Sequence, residues 1–248
     1  MTAGSDLWLH RVAPVPSARV HLVCFPHAGG SVSFFRKWGD ALPGVEVHAV
    51  RYPGRAERMA EPPPTDLRAM AGSIAQALLP VADRPLALFG HSMGAAVALE
   101  TARSLEHLEV EVAHLFASGS RDAPYPSAEE LAHDGGDEDD AEVVARLLTL
   151  GGTDPELARD PDFQELVLPY VRGDSTMFHA YVPGDVPPLR CPVTTIAGDR
   201  DPDADRRPWR ELTSGQVRSI SVAGDHFYLV ADPPFGTVVN ALRPAPVR

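Results

Sequence analysis

Two cysteines in 248 residues, Cys24 within an apolar run and Cys191 just before Pro192, are too few for a disulfide framework. Their scarcity excludes the small cross-linked secreted class and suits a reducing cytoplasm. Lysine is almost missing: Lys37 is the single lysine among 22 basic residues, set against 34 acidic ones. A formal charge of −12 excludes general binding to polyanions, because long-range repulsion opposes approach to nucleic acid or an anionic membrane. No window is long and apolar enough to span a bilayer, and Met1 to Leu9 lacks the basic start and apolar stretch of a signal peptide. No internal repeat is present, and no histidine or cysteine cluster has metal-ligand spacing, so no metal is expected. A cytoplasmic monomer without nucleic-acid or membrane partners is the expectation.

What is present suits a globular α/β protein, expected as one domain over 1–248, with 44% hydrophobic and 23% charged residues. Short apolar, β-branched runs predict strands at Arg19–Phe25, Val45–Val50, Leu86–Phe89, Val112–Ala117, Val193–Ala197 and Val217–Val222. Between them, three- and four-residue apolar spacing predicts helices at Ser33–Leu42, Leu67–Val81, Ala95–Leu105, Arg206–Leu212 and Val230–Leu242. Strands alternating with helices imply a mostly parallel central sheet flanked by helices. From Gly119 to Val186 the alternation stops, and the text turns Pro- and acid-rich, with a helix from Asp140 to Leu150. This segment reads as a helical insertion over the sheet, and its acidic run Asp134–Asp140 as a solvated loop.

Gly90-His91-Ser92-Met93-Gly94 lies between a strand and an Ala-rich helix. A hydrolase nucleophile needs its hydroxyl lifted clear of the backbone in a turn too tight for bulky neighbours, and this strand, turn and helix context provides it. The base should follow the last strand, where Ala223-Gly224-Asp225 leads into His226. The orienting acid should follow the penultimate strand, where Asp199 and Asp201 both stand; Asp201, at the loop apex, is the choice, while Asp199 and Asp225 read as turn residues. An oxyanion hole requires backbone N–H groups, one from Met93 and one from the loop Pro26-His27-Ala28-Gly29-Gly30-Ser31, with Ala28 preferred and Gly29 the alternative. His27 and His179 are candidates for touching substrate, and His91 is expected to pack beneath the elbow.

Beyond these residues, the chain resembles the type II thioesterases, stand-alone α/β-hydrolases that accompany polyketide synthases and nonribosomal peptide synthetases. The resemblance rests on Phe25-Pro26-His27-Ala28-Gly29-Gly30, Tyr52-Pro53-Gly54-Arg55 with Arg58, the elbow, Leu168-Pro169-Tyr170-Val171-Arg172-Gly173-Asp174, and Gly224-Asp225-His226-Phe227. It implies an α/β-hydrolase fold with 119–186 as a helical lid, and Ser92, Asp201 and His226 as catalytic triad. It also implies release of short or stalled acyl groups from the phosphopantetheine arm of acyl or peptidyl carrier proteins, with no cofactor beyond the arm the substrate carries. Gly173 departs from the alanine-like residue of the family, and the acidic stretch before Asp140 is longer than usual. Because carrier proteins are acidic, docking is expected on an arginine patch, Arg51, Arg55 and Arg58 or Arg206, Arg207 and Arg210. The rival readings are a general carboxylesterase or product-offloading hydrolase acting on free small molecules, and a non-catalytic binding protein of the same fold.

Overall fold

Runs that are apolar throughout, rather than alternating, belong to strands covered on both faces. The computed structural model, which describes residues 3–120, 139–150, 153–181, 186–201 and 209–243, has seven strands. They are β1 (Leu9–Arg11), β2 (Val20–Phe25), β3 (Val45–Val50), β4 (Leu86–His91), β5 (Val112–Ser118), β6 (Val193–Gly198) and β7 (Val217–Val222). Every residue of β3 and β4 is buried. The sheet order is β1-β3-β2-β4-β5-β6-β7, parallel except for β1, which pairs antiparallel with β3 through Leu9 and Val50.

Helices close both faces. On one side, α1 (Ala3–Trp8), α3 (Leu67–Leu78) and α4 (Met93–His107) pack on the sheet. Asp66 caps α3 by accepting the Arg68 and Ala69 N–H groups, and Leu67, Met70, Ala71, Ile74, Ala75 and Leu78 form its buried stripe. Phe35, Trp38, Phe89, Phe116, Tyr228 and Val238 fill the other side, where α2 (Trp38–Ala41), α8 (Tyr228–Ala231) and α9 (Phe235–Ala241) lie. The expected helix Ser33–Leu42 divides into a 3-10 turn, Val32–Phe35, and α2. Val230–Leu242 divides likewise at Pro233 and Pro234, which supply no N–H. Of Arg206–Leu212 only a 3-10 turn, Trp209–Glu211, lies within the described residues.

The insertion between β5 and β6 contains α5 (Asp140–Leu150), at the expected bounds, then α6 (Pro155–Ala158) and α7 (Pro161–His179). The long helix α7 was not expected. Asp160 caps it by accepting the Phe163 N–H, Pro161 stands in its first turn where its missing N–H does no harm, and Pro169 is inside it. The acidic run up to 138 lies outside the described residues. This layered, mostly parallel arrangement is the α/β-hydrolase fold.

Candidate active site

The chain leaves β2 toward β3 on one side, then crosses back to place β4 on the other. The loops following β2 and β4 therefore splay apart at a topological switch point, where open α/β sheets form their sites. Pro26–Gly30 leaves one lip and Ser92 stands on the other. Ser92 has φ 54 and ψ −126, a conformation L residues avoid, and its N–H donates to the Ser118 carbonyl at 2.8 Å. The turn is possible only because its glycines lack side chains. A Cβ on Gly90 would lie 2.2 Å from the Gly94 oxygen, and one on Gly94 would lie 2.2 Å from the Phe25 oxygen.

The loops after β6 and β7 carry Asp201 and His226, the candidate acid and base. Asp199 Oδ1 accepts the Gly224 N–H at 2.9 Å and Asp225 Oδ1 accepts that of Phe227 at 2.9 Å, so both serve their turns. Asp201 Oδ2 lies 3.0 Å from His226 Nδ1, with both side chains out of water. A carboxylate only accepts, so Nδ1 carries the proton, and in the neutral ring Nε2 is the acceptor. Nε2 is buried with no protein hydrogen bond, while Ser92 is half-buried.

Aromatic rings enclose His226. His91 lies tilted against it at 5.0 Å between ring centres and Phe227 meets it edge-on at 5.1 Å; His27 in turn touches Phe34 at 4.6 Å and Phe227 at 4.9 Å. His91 is fully buried, with Nδ1 3.0 Å from Ser118 Oγ, which also meets the Tyr228 hydroxyl at 2.7 Å. Burial pushes His27 down to about 3, helped by His226 and Arg55, and holds His91 well below the usual imidazole range, helped by His226 and His27. Both rings are neutral at pH 7.

Gly30 N–H returns to the His27 carbonyl at 2.8 Å across Gly29, whose φ is +77, the geometry of a type II turn. Gly29 N–H is committed to Asp174 Oδ2 at 2.8 Å. Ala28 N–H, in contrast, has no hydrogen bond among the described residues, and Met93 opens α4 where N–H groups lack intrahelical acceptors. The loop thus leaves Ala28 and Met93 amides available and Gly29 engaged.

Sequence reasoning missed the group that holds this loop. Asp174 on α7 and Arg55 form a buried bidentate ion pair, and Arg55 lies between the rings of Tyr52 and Tyr170, 5.2 and 5.3 Å from their centres. Arg58 is buried too, paired with Glu61 and 4.1 Å over the Trp8 ring. The expected patch Arg51, Arg55 and Arg58 is therefore no docking surface: two of its three members are internal. Of the second cluster, Arg210 is exposed, and Arg206 and Arg207 lie outside the described residues. His179 stands in the last turn of α7, half-buried beside Phe178.

One trio of possible metal ligands does converge among the described residues: His21, Glu46 and His48, with donor atoms within 4.8 Å. Sequence spacing hid it because the parallel pairing of β2 with β3 sets His21 beside Glu46. The donors already serve one another. His21 Nδ1 is 3.1 Å from His48 Nε2, Glu46 Oε2 accepts the Val15 N–H at 2.8 Å, and Oε1 is 3.6 Å from Arg11 Nε. The trio lies toward the amino ends of the strands, opposite the loops that carry Ser92. A cleft of about 760 Å³ across α3 and α4 includes none of Ser92, Asp201 and His226 in its walls.

The thioesterase-domain family model matches residues 20–244. Thioesterase PikA5 of Streptomyces venezuelae is 40% identical over 235 residues, 92% of this chain and 82% of that protein. The type II thioesterase BorB from the borrelidin biosynthetic cluster superposes with a TM-score of 0.83 at 36% identity, covering 96% of this chain and 98% of that one. YbtT, the type II thioesterase from the yersiniabactin NRPS/PKS biosynthetic pathway, gives 0.80 at 32% identity, with 95% and 100% covered. Matched along nearly its whole length in sequence and in shape, the chain belongs to the thioesterase family, in its type II branch.

Proposed function

We propose that this thioesterase frees stalled or aberrant acyl groups from the phosphopantetheine arm of carrier proteins in polyketide or nonribosomal peptide assembly. Ser92 Oγ attacks the thioester carbonyl while His226 Nε2 takes its proton, and Asp201 stabilises the imidazolium. The Met93 and Ala28 N–H groups hold the oxyanion. Collapse breaks the carbon–sulfur bond, and the pantetheine sulfur leaves with the proton from His226. Water then loses a proton to His226 and attacks the acyl-serine; collapse breaks the ester bond, releases the acid, and returns that proton from His226 to Ser92 Oγ. A thiol is a good leaving group, so the first half-reaction asks little of acid catalysis. No cofactor is required, since the phosphopantetheine arrives with the substrate.

The observation that carries this reading is the Asp201–His226 pair, 3.0 Å apart, with Nε2 free of protein hydrogen bonds and the ring centre 5.0 Å from that of His91 in the strained elbow. The carrier-protein substrate draws on the pathways named for BorB and YbtT. Ser92→Ala should abolish hydrolysis of an acyl-carrier protein in a folded enzyme; wild-type turnover would overturn the assignment. Acyl-carrier protein should also exceed acyl-N-acetylcysteamine and p-nitrophenyl esters in kcat/KM. The reverse order would make this a general esterase.

A further inference from the structure

We infer that Asp174, carried on α7 of the insertion, is a positioning residue for acylation: with Arg55 it fixes the Pro26–Gly30 loop so that the Ala28 N–H meets the oxyanion. The inference rests on the reading of Ala28 as an oxyanion donor given above. Asp174 Oδ2 accepts both the Gly29 N–H at 2.8 Å and an Arg55 Nη1–H at 2.6 Å, and Oδ1 takes Arg55 Nη2. Arg55 Nη1 also donates to the Gly30 carbonyl at 3.2 Å, and the Tyr52 hydroxyl donates to the Pro26 carbonyl at 3.2 Å. One ion pair and the ring beside it therefore hold the loop at its start and its end.

Packing tells the same story independently of the hydrogen bonds. A Cβ on Gly29 would lie 2.5 Å from Val171 Cγ2, so the loop backbone presses on α7 without a gap. Leu168, Val171, Asp174 and Met177 are all buried along this helix, so Gly29 is held against a packed face of α7. A buried ion pair is a poor means of stabilising a fold, because apolar side chains of similar volume do as well or better. Here Asp174 is fully buried and Arg55 is 4% exposed, and their further hydrogen bonds go to one loop, that of the oxyanion. That distribution points to positioning rather than to stability.

Asp174→Asn keeps the shape and an acceptor for Gly29 but loses the charge and one acceptor for Arg55. Two ligands separate its effects: an acyl trifluoromethyl ketone, whose serine adduct bears an oxyanion, and the matching acyl amide of pantetheine, which binds without reacting. We expect kcat on acyl-N-acetylcysteamine to fall about 10- to 100-fold, trifluoromethyl-ketone affinity to fall in parallel, and KM and amide affinity to stay within about threefold. Unchanged ketone affinity, or equal losses for both ligands, would overturn the proposal and leave Asp174 structural. Should Asp174→Asn not fold, Arg55→Lys, which keeps the charge but not the bidentate fork, should show the same split between ligands, and failure to do so is equally fatal. Ala28→Pro removes the N–H at a turn position proline favours, and tests the underlying reading separately. If it lowers ketone affinity while Asp174→Asn does not, only the positioning role fails; if Ala28→Pro changes nothing, the oxyanion assignment fails.

Discussion

Ser92 bears a backbone conformation that suits glycine, because the turn must lift its hydroxyl above the sheet. A non-glycine residue held in such a region costs about 1–3 kcal/mol, so the elbow stores strain. Both Ser92→Gly and Ser92→Ala remove the hydroxyl, but only glycine relieves the strain. Ser92→Gly should be the more stable of the two by about 1 kcal/mol in urea unfolding, and a more stable alanine variant would contradict the strain argument. Asp201→Asn should leave the fold intact and lower kcat by about 10³- to 10⁴-fold, since an amide no longer fixes the Nδ1–H tautomer; a loss under about tenfold would shift the role to another acid. At this scale the serine, its histidine and the aspartate stood out in the sequence because each follows a recognisable strand. The pairing of Asp174 with Arg55 did not, because the two residues belong to separate motifs that lie far apart in the chain.

Elements were legible where the apolar pattern was uninterrupted. β3 and β7 fall at the expected bounds, and α5 likewise. β1 escaped notice because three residues carry no period, and α7 because two prolines mimic loop punctuation. Glycines inside elements read alike in sequence yet differ in space. Gly94 opens α4 against the carbonyls of Phe25 and Pro26, 2.2 and 2.6 Å from where a Cβ would stand, and backbone cannot swing aside as a side chain can. Gly94→Ala should therefore cost at least about 3 kcal/mol and displace the oxyanion loop, lowering kcat in whatever fraction still folds. Gly72, in the middle of α3, has nothing within 4 Å of that point. Gly72→Ala should stabilise the protein by about 0.5–1 kcal/mol through helix propensity, with kcat unchanged; destabilisation would reveal a contact on the open face of α3.

For the molecule as a whole, burial lowers the pKa of five imidazoles among the described residues, His10 and four others. Burial pushes His27 to about 3 and His48 and His114 to about 4, and keeps His91 well below its ordinary range. In the unfolded chain each titrates near about 6.5. Below that pH the unfolded state binds protons that the native state refuses, so stability falls as pH drops, by up to about 1.4 kcal/mol per pH unit for each group, until the folded pKa is reached. The net charge of −12 acts in the opposite sense, because protonation relieves self-repulsion. Carboxylates held low, Glu46 and Glu61, act only below about 4.5, so the interval from about 6.5 to 4.5 isolates the histidines. Urea unfolding at pH 7.5 and 5.0 should give the lower stability at 5.0. His114, whose Nε2 lies 2.8 Å from Thr194 Oγ1 and whose ring stacks 4.3 Å from Phe116, is far from the catalytic loops and can be replaced without touching them. His114→Gln should flatten the pH dependence by about one proton, that group's share in this interval. An unchanged slope would assign the acid sensitivity to the other lowered histidines, His48 among them, and leave the neutral ring at His114 without consequence; stability rising toward pH 5 would mean that charge repulsion, not buried imidazole, governs this fold.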